Sequence, residues 1–245
     1  MKLISAAPSN TEILFNLGKG GDIVATTSLC DHPEEARRKD SIGGWSKGLS
    51  VEKIVEHDPD LVFTSDSLQD EVREGIEEKG ISTVHVAPES LEEVYHSILK
   101  IGRSINEKDK AREIVEEMKE QFDRIDLQGA KVYCEEWSDP QMISGNWFPE
   151  MVGKCNGKYP ISEGRSREID VEKLKDFNPD IAIMNICGAG NNPDVSELTE
   201  RENWKSIRAV KEGNVYAVDD SLLNRPGPRL VEGMRKIEEI VNQNL

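Results

Sequence analysis

One stretch of this sequence occurs twice. Residues 51–63 read VEKIVEHDPDLVF and residues 171–183 read VEKLKDFNPDIAI, with Val, Glu, Lys, Pro and Asp at the same places. In each copy an amphipathic helical segment leads into a short apolar run that is typical of a buried strand. A similarity between TVHVAPESLEEV and NVYAVDDSLLNR extends the repetition. The repeats predict two similar α/β lobes, and one doubly wound domain with accidental similarity is the alternative.

Short apolar runs alternate with helical stretches in both halves of the chain. The predicted strands are residues 2–7, 23–27, 61–64 and 83–87 in the first half, and 131–137, 181–186 and 215–220 in the second. Alternation of this kind is typical of βαβ units with a parallel sheet. After the first strand, Ser9 or Asn10 is the expected cap of the first helix.

Between the two halves lies a long helical stretch. Residues 90–125 contain no proline and only one glycine, Gly102. Apolar side chains at helical spacing predict two consecutive helices, of which the second has about 20 residues and is roughly 30 Å long. We therefore predict an N-terminal α/β lobe over residues 1–104, a linking helix over 105–128 and a C-terminal α/β lobe over 129–245, with parallel sheets and a ligand cleft between the lobes.

Charge and apolar content exclude several classes of partner. The formal net charge of −16 argues against nucleic acid and against an anionic membrane surface. No apolar run approaches the roughly 20 residues that span a bilayer. The four cysteines form no CxxC pair, and we expect free thiols. Met1-Lys2 leads directly into LISAAPSN, so the sequence indicates either a cytoplasmic protein or one whose export signal was removed.

Ligand contacts are expected beyond the carboxyl ends of the parallel strands, where open α/β sheets bind their ligands. Tryptophans in glycine-bordered loops are a second source of contacts, because they offer flat surfaces, although core packing is the alternative. Trp204, in contrast, is expected to pack in its own lobe. The predicted ligand-binding residues are Ser9, Asn10, Asp31, His32, Trp45, Ser65, Glu136, Trp137, Trp147, Cys187, Asn224 and Arg225.

Signatures of enzymes are missing from the sequence. It has no GxSxG elbow, no P-loop, no HExxH and no dinucleotide fingerprint, so no catalytic residue is predicted. Adjacent glutamates on a strand point to opposite faces, so Glu135 and Glu136 are not an acid/base pair. A metal site remains an alternative, since cysteine, histidine and carboxylate side chains could assemble from Cys30, Asp31, His32, Cys134, Glu135, Glu136 and Cys187.

Several motifs together resemble a known family. APSNTEILFNLG, CDHP, IGGW, LSVEKI, PDLVF and RPGPRLVEGM resemble the helical-backbone (class III) substrate-binding proteins of ABC importers. The cobalamin-binding proteins are the most similar branch, and their relatives bind iron-siderophores and haem. The resemblance runs through essentially the whole chain and implies two α/β lobes bridged by a rigid long helix, without enzymatic activity.

In the cobalamin-binding branch, aromatic side chains from both lobes hold the corrin ring edge-on. Trp45 matches the tryptophan of the first lobe, whereas His32 stands where a tyrosine is common and Ser65 where another tryptophan is expected. The matching aromatic of the second lobe is absent near Ser166, and Trp137 or Trp147 is the expected replacement. His32 is also a candidate axial ligand to a bound cobalt ion. Asn224 and Arg225 are expected to contact the side-chain amides or carboxylates of the ligand.

The resemblance also offers a reason for the repeated VEK. In this family each lobe exposes a glutamate that docks on an ABC permease dimer, and Glu52 and Glu172 occupy the matching positions. A pseudo-symmetric protein that meets a two-fold partner needs the same charged contact twice. An ordinary solvated amphipathic helix is the alternative explanation.

The sequence as a whole predicts a monomeric binding protein without a cofactor of its own. It is expected to capture cobalamin or a related corrinoid and deliver it to an ABC importer, outside the cytoplasm if an export signal was removed. Alternatives are a ferric-siderophore or haem binding protein of the same fold, and a cytoplasmic corrinoid chaperone or sensor if Met1 is the native start.

Overall fold

A computed structural model describes all 245 residues and divides them into two compact units. The first unit comprises Met1–Pro88 and Glu93–Val115, and the second comprises Glu89–Glu92 and Glu116–Leu245. Each unit contains one five-stranded sheet with helices around it, which confirms the prediction of two α/β lobes. The boundaries at residues 104 and 128 stay a prediction.

The sheet of the first lobe is entirely parallel. Its strands are β1 (Leu3–Ser5), β2 (Ile23–Thr26), β3 (Asp40–Ser41), β4 (Leu61–Ser65) and β5 (Thr83–Val86), in the order β3-β2-β1-β4-β5. Its helices begin with α1 (Pro8–Asn16), α2 (Val51–Glu56) and α3 (Asp70–Glu78), and short 3-10 turns cover Gly20–Asp22, Glu34–Arg38 and Ser67–Gln69. Because the chain continues from β1 to one side and later returns to the other, the topological switch point lies between β1 and β4.

Two consecutive helices follow β5, as predicted. They are α4 (Leu91–Ser104) and α5 (Lys108–Phe122). The second helix has 15 residues, so it is shorter than the predicted 20. It contributes residues to both units, since the first unit ends at Val115 and the second resumes at Glu116.

The sheet of the second lobe is mixed, which corrects the prediction of a parallel sheet. Its strands are β6 (Val132–Ser138), β7 (Gln141–Ile143), β8 (Arg167–Glu168), β9 (Ile181–Met184) and β10 (Val215–Ala217), in the order β10-β9-β6-β7-β8. Strands β6, β9 and β10 are parallel, whereas β7 is antiparallel to both β6 and β8. Only Asp139 and Pro140 connect β6 to β7, and so short a connection permits an antiparallel pair alone.

Six helices complete the second lobe. They are α6 (Phe148–Lys154), α7 (Val171–Phe177), α8 (Ser196–Thr199), α9 (Arg208–Glu212), α10 (Asp220–Leu223) and α11 (Leu230–Asn244), with a 3-10 turn at Glu202–Trp204. Trp204 is buried, and its ring meets the Tyr133 ring edge-on at 5.3 Å between centroids. This placement agrees with the predicted core role of Trp204. No helix anywhere in the chain is both long and apolar enough to cross a membrane.

The repeated stretch forms the same structure in each lobe. In the first lobe, the backbone N–H of Lys2, just before β1, donates to the carboxylate of Asp60 at 2.7 Å. In the second, the N–H of Lys131, just before β6, donates to Asp180 at 2.8 Å. The Lys2 ammonium also donates to the carbonyl of His57, the residue after α2. In the same way, the Lys131 ammonium donates to the carbonyl of Phe177, the last residue of α7. The aspartate of the Pro-Asp pair in each repeat therefore binds the backbone at the start of the central strand.

The helices of the two repeats also begin in the same way. Ser50 caps α2 by accepting from the backbone N–H of Lys53, and Asp170 caps α7 by accepting from the N–H of Glu172. The apolar residue at the centre of each helix is fully buried: Ile54 in α2 and Leu174 in α7. The capping signals N-terminal to VEK thus act as local sequence rules predict.

The predicted cap of α1 is wrong. The helix begins at Pro8, its N-cap is Ala7, and no side chain caps it. Proline is favoured at the first helical position because its missing N–H has no partner there anyway. Asn10 is instead buried within the helix, where its amide donates to the carbonyl of Thr64 at 3.1 Å.

Candidate functional site

The carboxyl edge of the first sheet is held together by a buried glutamine at the switch point. The side-chain amide of Gln69 donates to the carbonyls of Ala6, at 2.7 Å, and Trp45, at 2.5 Å. Its side-chain oxygen accepts from the backbone N–H of Ser65 at 2.8 Å. Gln69 therefore joins the ends of β1 and β4 to the loop that carries Trp45.

The loop around Trp45 depends on a glycine. Gly43 has a φ of +114°, and a Cβ there would lie 1.8 Å from the carbonyl oxygen of Gly48. Only glycine permits this close approach of two backbone segments. The Gly43 carbonyl also accepts from the N–H of Ser28 at 2.8 Å, which ties the loop to the end of β2. Trp45 itself is partly exposed at this edge.

Two large apolar side chains stand exposed in the neighbouring strand-end loops. Leu29 follows β2 and is 53% exposed, and Leu68 follows β4 and is 65% exposed. Next to Leu68, Asp66 has φ 63° and ψ 154°, a region of backbone space that is costly for any residue other than glycine. Exposed apolar groups and backbone strain are both typical of ligand-binding edges.

The other predicted residues of the first lobe have unequal accessibility. His32 is exposed, and Asp31 is partly buried and pairs with Arg37 at 3.6 Å. Ser9 and Ser65 are buried, so their side chains offer little surface to a ligand. The strand-end positions lie at one edge, as expected, but Asn10 and Ser65 maintain that edge through contacts within the protein.

A β-bulge re-aims the end of the central strand in the second lobe. The register between β6 and β7 shifts between Glu135 and Trp137, so Glu136 is the extra residue. Bulges of this kind are frequent beside functional sites, because they redirect a side chain out of the ladder. One Glu136 oxygen, Oε2, accepts from the Ser166 hydroxyl at 2.7 Å. Burial raises the pKa of the Glu136 carboxyl, an effect that the Ser166 hydroxyl and the Arg165 charge reduce.

Glu135 has a different environment. Its side chain is fully buried, and Arg201 donates to both carboxylate oxygens at 2.6 and 2.7 Å. The hydroxyl of Tyr133 donates to the same carboxylate at 2.8 Å, and the guanidinium lies 4.7 Å from the Trp204 ring centroid. Glu135 is thus part of the core of the second lobe. The two glutamates make separate contacts, which agrees with the prediction that they are not an acid/base pair.

The ends of β6, β9 and β10 meet in one hydrogen-bonded cluster. The Asn224 amide donates to the Asn185 carbonyl at 3.0 Å and lies 3.2 Å from the Cys187 sulfur. The backbone N–H of Cys187 donates to the Glu136 carbonyl at 3.1 Å. The carboxylate of Asp220 accepts from two backbone N–H groups of the loop after β9, those of Gly188 and Gly190. The structure therefore brings Glu136, Cys187 and Asn224 together as predicted.

The two tryptophans proposed as platforms of the second lobe differ sharply. Trp147 is only 8% exposed, and its indole N–H donates to the carbonyl of Leu223 at 2.8 Å. Trp137 is 46% exposed, and its indole N–H donates to the Asp139 carbonyl. A buried ring has no free face for stacking, so the platform role predicted for Trp147 does not fit the structure. Trp137 is the accessible aromatic side chain at this edge.

Arginines at the second edge are engaged with other groups. Arg165 pairs with Glu89 at 3.0 Å, and Arg225 follows Asn224 at the partly buried end of α10. The guanidinium of Arg167 donates to the carbonyl of Glu163 at 3.1 Å. These three arginines therefore do not form a cluster of cations directed at one point.

No group of three or more His, Cys, Asp or Glu side chains is placed to hold a metal ion. The alternative of a metal site therefore has no geometric support. The four cysteines are free, and burial raises the pKa of the Cys134 and Cys155 thiols, in the second case to about 12. Thiols of such high pKa carry little thiolate at neutral pH.

The two repeated glutamates lie on the exposed first turns of their helices. Glu52 accepts from the Ser50 hydroxyl at 2.9 Å, and Glu172 pairs with Lys175 at 2.7 Å. The backbone N–H of Glu52 and the Ser50 hydroxyl lower the pKa of the Glu52 carboxyl, so it is ionised at neutral pH. Both positions are accessible, but their docking role stays a prediction.

Sequence reasoning missed Gln69, Leu29, Leu68 and the bulge at Glu136. Leu29 stands inside a predicted strand-end loop, so an apolar residue in a polar loop was an available signal, whereas Leu68 lies in a stretch that was interpreted as helical. The sequence offered no comparable signal for Gln69, whose partners Ala6 and Trp45 are 63 and 24 residues away.

The sequence of this chain is similar to a known protein family and to individual members of it. The profile of the family described as "Periplasmic binding protein" matches residues 3–222. An uncharacterized ABC transporter substrate-binding lipoprotein of Bacillus subtilis is 29% identical and covers 98% of this chain and 79% of the relative. A vitamin B12-binding protein of Vibrio campbellii is 22% identical and covers 97% of this chain and 88% of the relative.

Solved structures agree with the fold. A Staphylococcus epidermidis protein, described as a possible iron-binding (periplasmic solute-binding) protein, superposes with a TM-score of 0.83. It is 27% identical to this chain, and the match covers 98% of both chains.

Proposed function

The chain belongs to the periplasmic binding protein family, a family of non-enzymatic substrate-binding proteins, and from this we propose that it binds a corrinoid and delivers it to an ABC permease. The family and the relatives together support a general function: the chain is an ABC substrate-binding protein of the group that binds vitamin B12, haem or siderophores. Cobalamin or a close relative is the ligand that we propose within that group.

The observation that carries the proposal is the apolar rim of the first lobe, which we define as Leu29, Trp45 and Leu68. All three stand in loops at the carboxyl edge of one sheet, and both leucines are more than half exposed. A macrocycle with a broad apolar edge would cover such a rim and remove it from water. The vitamin B12-binding relative, which matches nearly the whole chain, supports a corrin ring as that macrocycle.

In the second lobe we propose Trp137 as the aromatic contact, in place of Trp147. Glu136, Asn224 and Arg225 would supply polar contacts from the same edge. His32 is exposed, so it is available as an axial ligand to cobalt, and His32→Ala would then change the visible spectrum of the bound corrinoid.

We also propose an extracytoplasmic location, because a relative of this chain is a substrate-binding lipoprotein. The permease partner would contact Glu52 and Glu172, whose carboxylates suit arginine recognition. The test compares Glu52→Ala/Glu172→Ala with a control pair of equal charge change on the same helices, Glu56→Ala/Asp176→Ala. Only the first pair should lose permease binding, and both should keep ligand affinity.

The direct test of the ligand is an equilibrium titration of the purified chain with cyanocobalamin and dicyanocobinamide, followed by heat and by the visible corrin bands. We expect saturable one-to-one binding of at least one of them. Absence of heat and of spectral change with both corrinoids would reject the proposal.

Variants of the apolar rim make the test specific. Trp45→Ala should weaken binding roughly 30-fold, since a buried aromatic anchor contributes about 2 kcal/mol. Leu29→Ser and Leu68→Ser should each weaken it roughly 5-fold, which corresponds to about 1 kcal/mol of apolar burial. Val55→Ser, at an exposed apolar position on α2, is the matched control and should leave affinity unchanged.

A ferric chelate is the second candidate, favoured by the Staphylococcus epidermidis structure described as possibly iron-binding. Hemin and a ferric siderophore therefore belong in the same titration. If either binds while both corrinoids fail, the iron chelate replaces the corrinoid as the proposed ligand.

A further inference from the structure

The Glu136 carboxylate, near the carboxyl end of β6, has one oxygen bonded within the protein and one oxygen available to accept a hydrogen bond from a ligand. Oε2 is bonded to the Ser166 hydroxyl at 2.7 Å, and no protein donor contacts Oε1. The side chain is partly buried, so this oxygen is neither fully hydrated nor paired within the chain. A carboxylate held in this way gains most from a donor that arrives with a ligand.

The orientation of Glu136 is fixed from two sides. As the extra residue of the β-bulge, it lies outside the regular ladder between β6 and β7. On the other side, Ser166 is locked in turn, because its oxygen accepts from the backbone N–H of Gly145 at 3.0 Å. A Cβ on Gly145 would lie 2.4 Å from the Ser166 nitrogen, so glycine is required for this approach.

Arg165 lowers the pKa of the Glu136 carboxyl but offsets its negative charge only in part. The guanidinium of Arg165 is paired with Glu89 at 3.0 Å, and that of Arg201 is bonded to both oxygens of Glu135. Another carboxylate, that of Asp220, lies at the same edge, where it accepts from the backbone N–H groups of Gly188 and Gly190. An incoming carboxylate would therefore meet a desolvated negative charge, whereas an N–H donor would meet an acceptor.

Resting on the proposed function, we infer that Glu136, oriented by Ser166 and Gly145, is a specificity-determining residue that selects ligands carrying amide N–H or cationic groups and rejects ligands carrying carboxylates. A fully amidated corrinoid fits this acceptor. Haem propionates and carboxylate-bearing siderophores do not fit it. The inference thus favours the corrinoid over the iron chelates on chemistry that is separate from the apolar rim.

The experiment uses two ligands that differ in one functional group: cyanocobalamin, and the derivatives in which one peripheral amide has been hydrolysed to a carboxylic acid. Affinities are measured for the unmodified chain, for Glu136→Gln and for Glu168→Gln, an exposed glutamate on β8 that removes the same charge. We expect the unmodified chain to prefer the amide over at least one acid derivative by 10-fold or more.

Glu136→Gln should reduce this preference to within about 3-fold, because the glutamine removes the charge that repels the acid. Glu168→Gln should leave the preference unchanged. Ser166→Ala, which frees Glu136 to rotate, should give an intermediate ratio. Near-native circular dichroism of each variant separates these effects from misfolding.

The outcomes separate this inference from the proposed function. If cyanocobalamin binds but every acid derivative binds equally well, or if the ratio is the same in Glu136→Gln, the role of Glu136 is overturned and the corrinoid function stands. If neither corrinoid form binds and hemin does, both are overturned, since haem carries two carboxylates.

Discussion

The two lobes are alike at the amino ends of their central strands and differ at the carboxyl ends. At the amino ends, Lys2 and Asp60 repeat as Lys131 and Asp180, with the same backbone hydrogen bond. The register repeats as well, because Leu3 pairs with Leu61 as Val132 pairs with Ile181. The repeated sequence therefore specifies a structural unit that starts each sheet.

Counting forward from the equivalent lysines shows where the lobes diverge. At the equivalent positions the first lobe has two buried alanines directly after β1, Ala6 and Ala7, and the second has Glu135 and Glu136 within β6. The first edge is covered by an apolar rim, whereas the second carries a carboxylate acceptor next to the exposed Trp137. Duplication thus preserved the scaffold while the edges acquired different chemistry, as expected when function resides in loops on a common fold.

The largest expected effect lies at Glu135, which has no counterpart in the first lobe. Arg201→Met should reduce the free energy of unfolding by about 3–5 kcal/mol, because it leaves a fully buried carboxylate unpaired. Urea denaturation measures the loss. The double variant Glu135→Leu/Arg201→Met should recover much of it, and a single variant that is as stable as the unmodified chain would contradict a buried ion pair.

A smaller loss of stability is expected at the two aspartates that bind the amino ends of the central strands, Asp60 and Asp180. Asp180→Ala should cost about 2 kcal/mol, since Lys131 then keeps a partly buried N–H without an acceptor and Arg208 loses one of its two ion-pair partners, keeping Glu212. Asp60→Ala should cost about 1 kcal/mol, because the Lys2 N–H is exposed and water replaces the lost acceptor. Equal losses in urea denaturation would show that the two anchors are energetically equivalent despite their different burial.

The smallest effect concerns Glu136 and pH. Its pKa in the folded chain is raised above the ordinary value of 4.5, so the folded state binds the proton more tightly than the unfolded state does. Stability should therefore fall as pH rises from about 4.5 through the raised pKa. Glu136→Gln should lack this decline, whereas Glu168→Gln should retain it. The measurement is the free energy of unfolding of the unmodified chain and of both variants, determined at intervals from pH 4 to pH 8.

Local signals predicted most of the scaffold. Short apolar runs predicted the strands of both lobes and helical spacing predicted helices between them, because these patterns depend on neighbours in the chain. The β6–β7 hairpin was not predicted, since the apolar run at 131–137 carries no mark of antiparallel pairing. The bulge at Glu136 likewise depends on β7 and on Cys187, more than 50 residues away.

The site was predicted in outline and corrected in detail. The rule that ligands bind beyond strand carboxyl ends selected Glu136, Cys187 and Asn224, which lie together in the structure, and their ligand role stays a prediction. It could not separate the exposed Trp137 from the buried Trp147, because burial depends on Leu223, 76 residues from Trp147 in the sequence. Gln69, which holds the first edge together, acts through contacts that no local pattern reveals.

The most direct test of this account is calorimetric titration with cyanocobalamin at several temperatures. The account predicts that Leu29→Ser/Leu68→Ser makes the heat capacity of binding less negative by roughly 50–100 cal/mol/K, since less apolar surface is buried. Glu136→Gln should weaken binding and leave the heat capacity unchanged. Equal heat capacities for the unmodified chain and the leucine double variant would contradict the claim that an apolar rim in the first lobe binds the ligand.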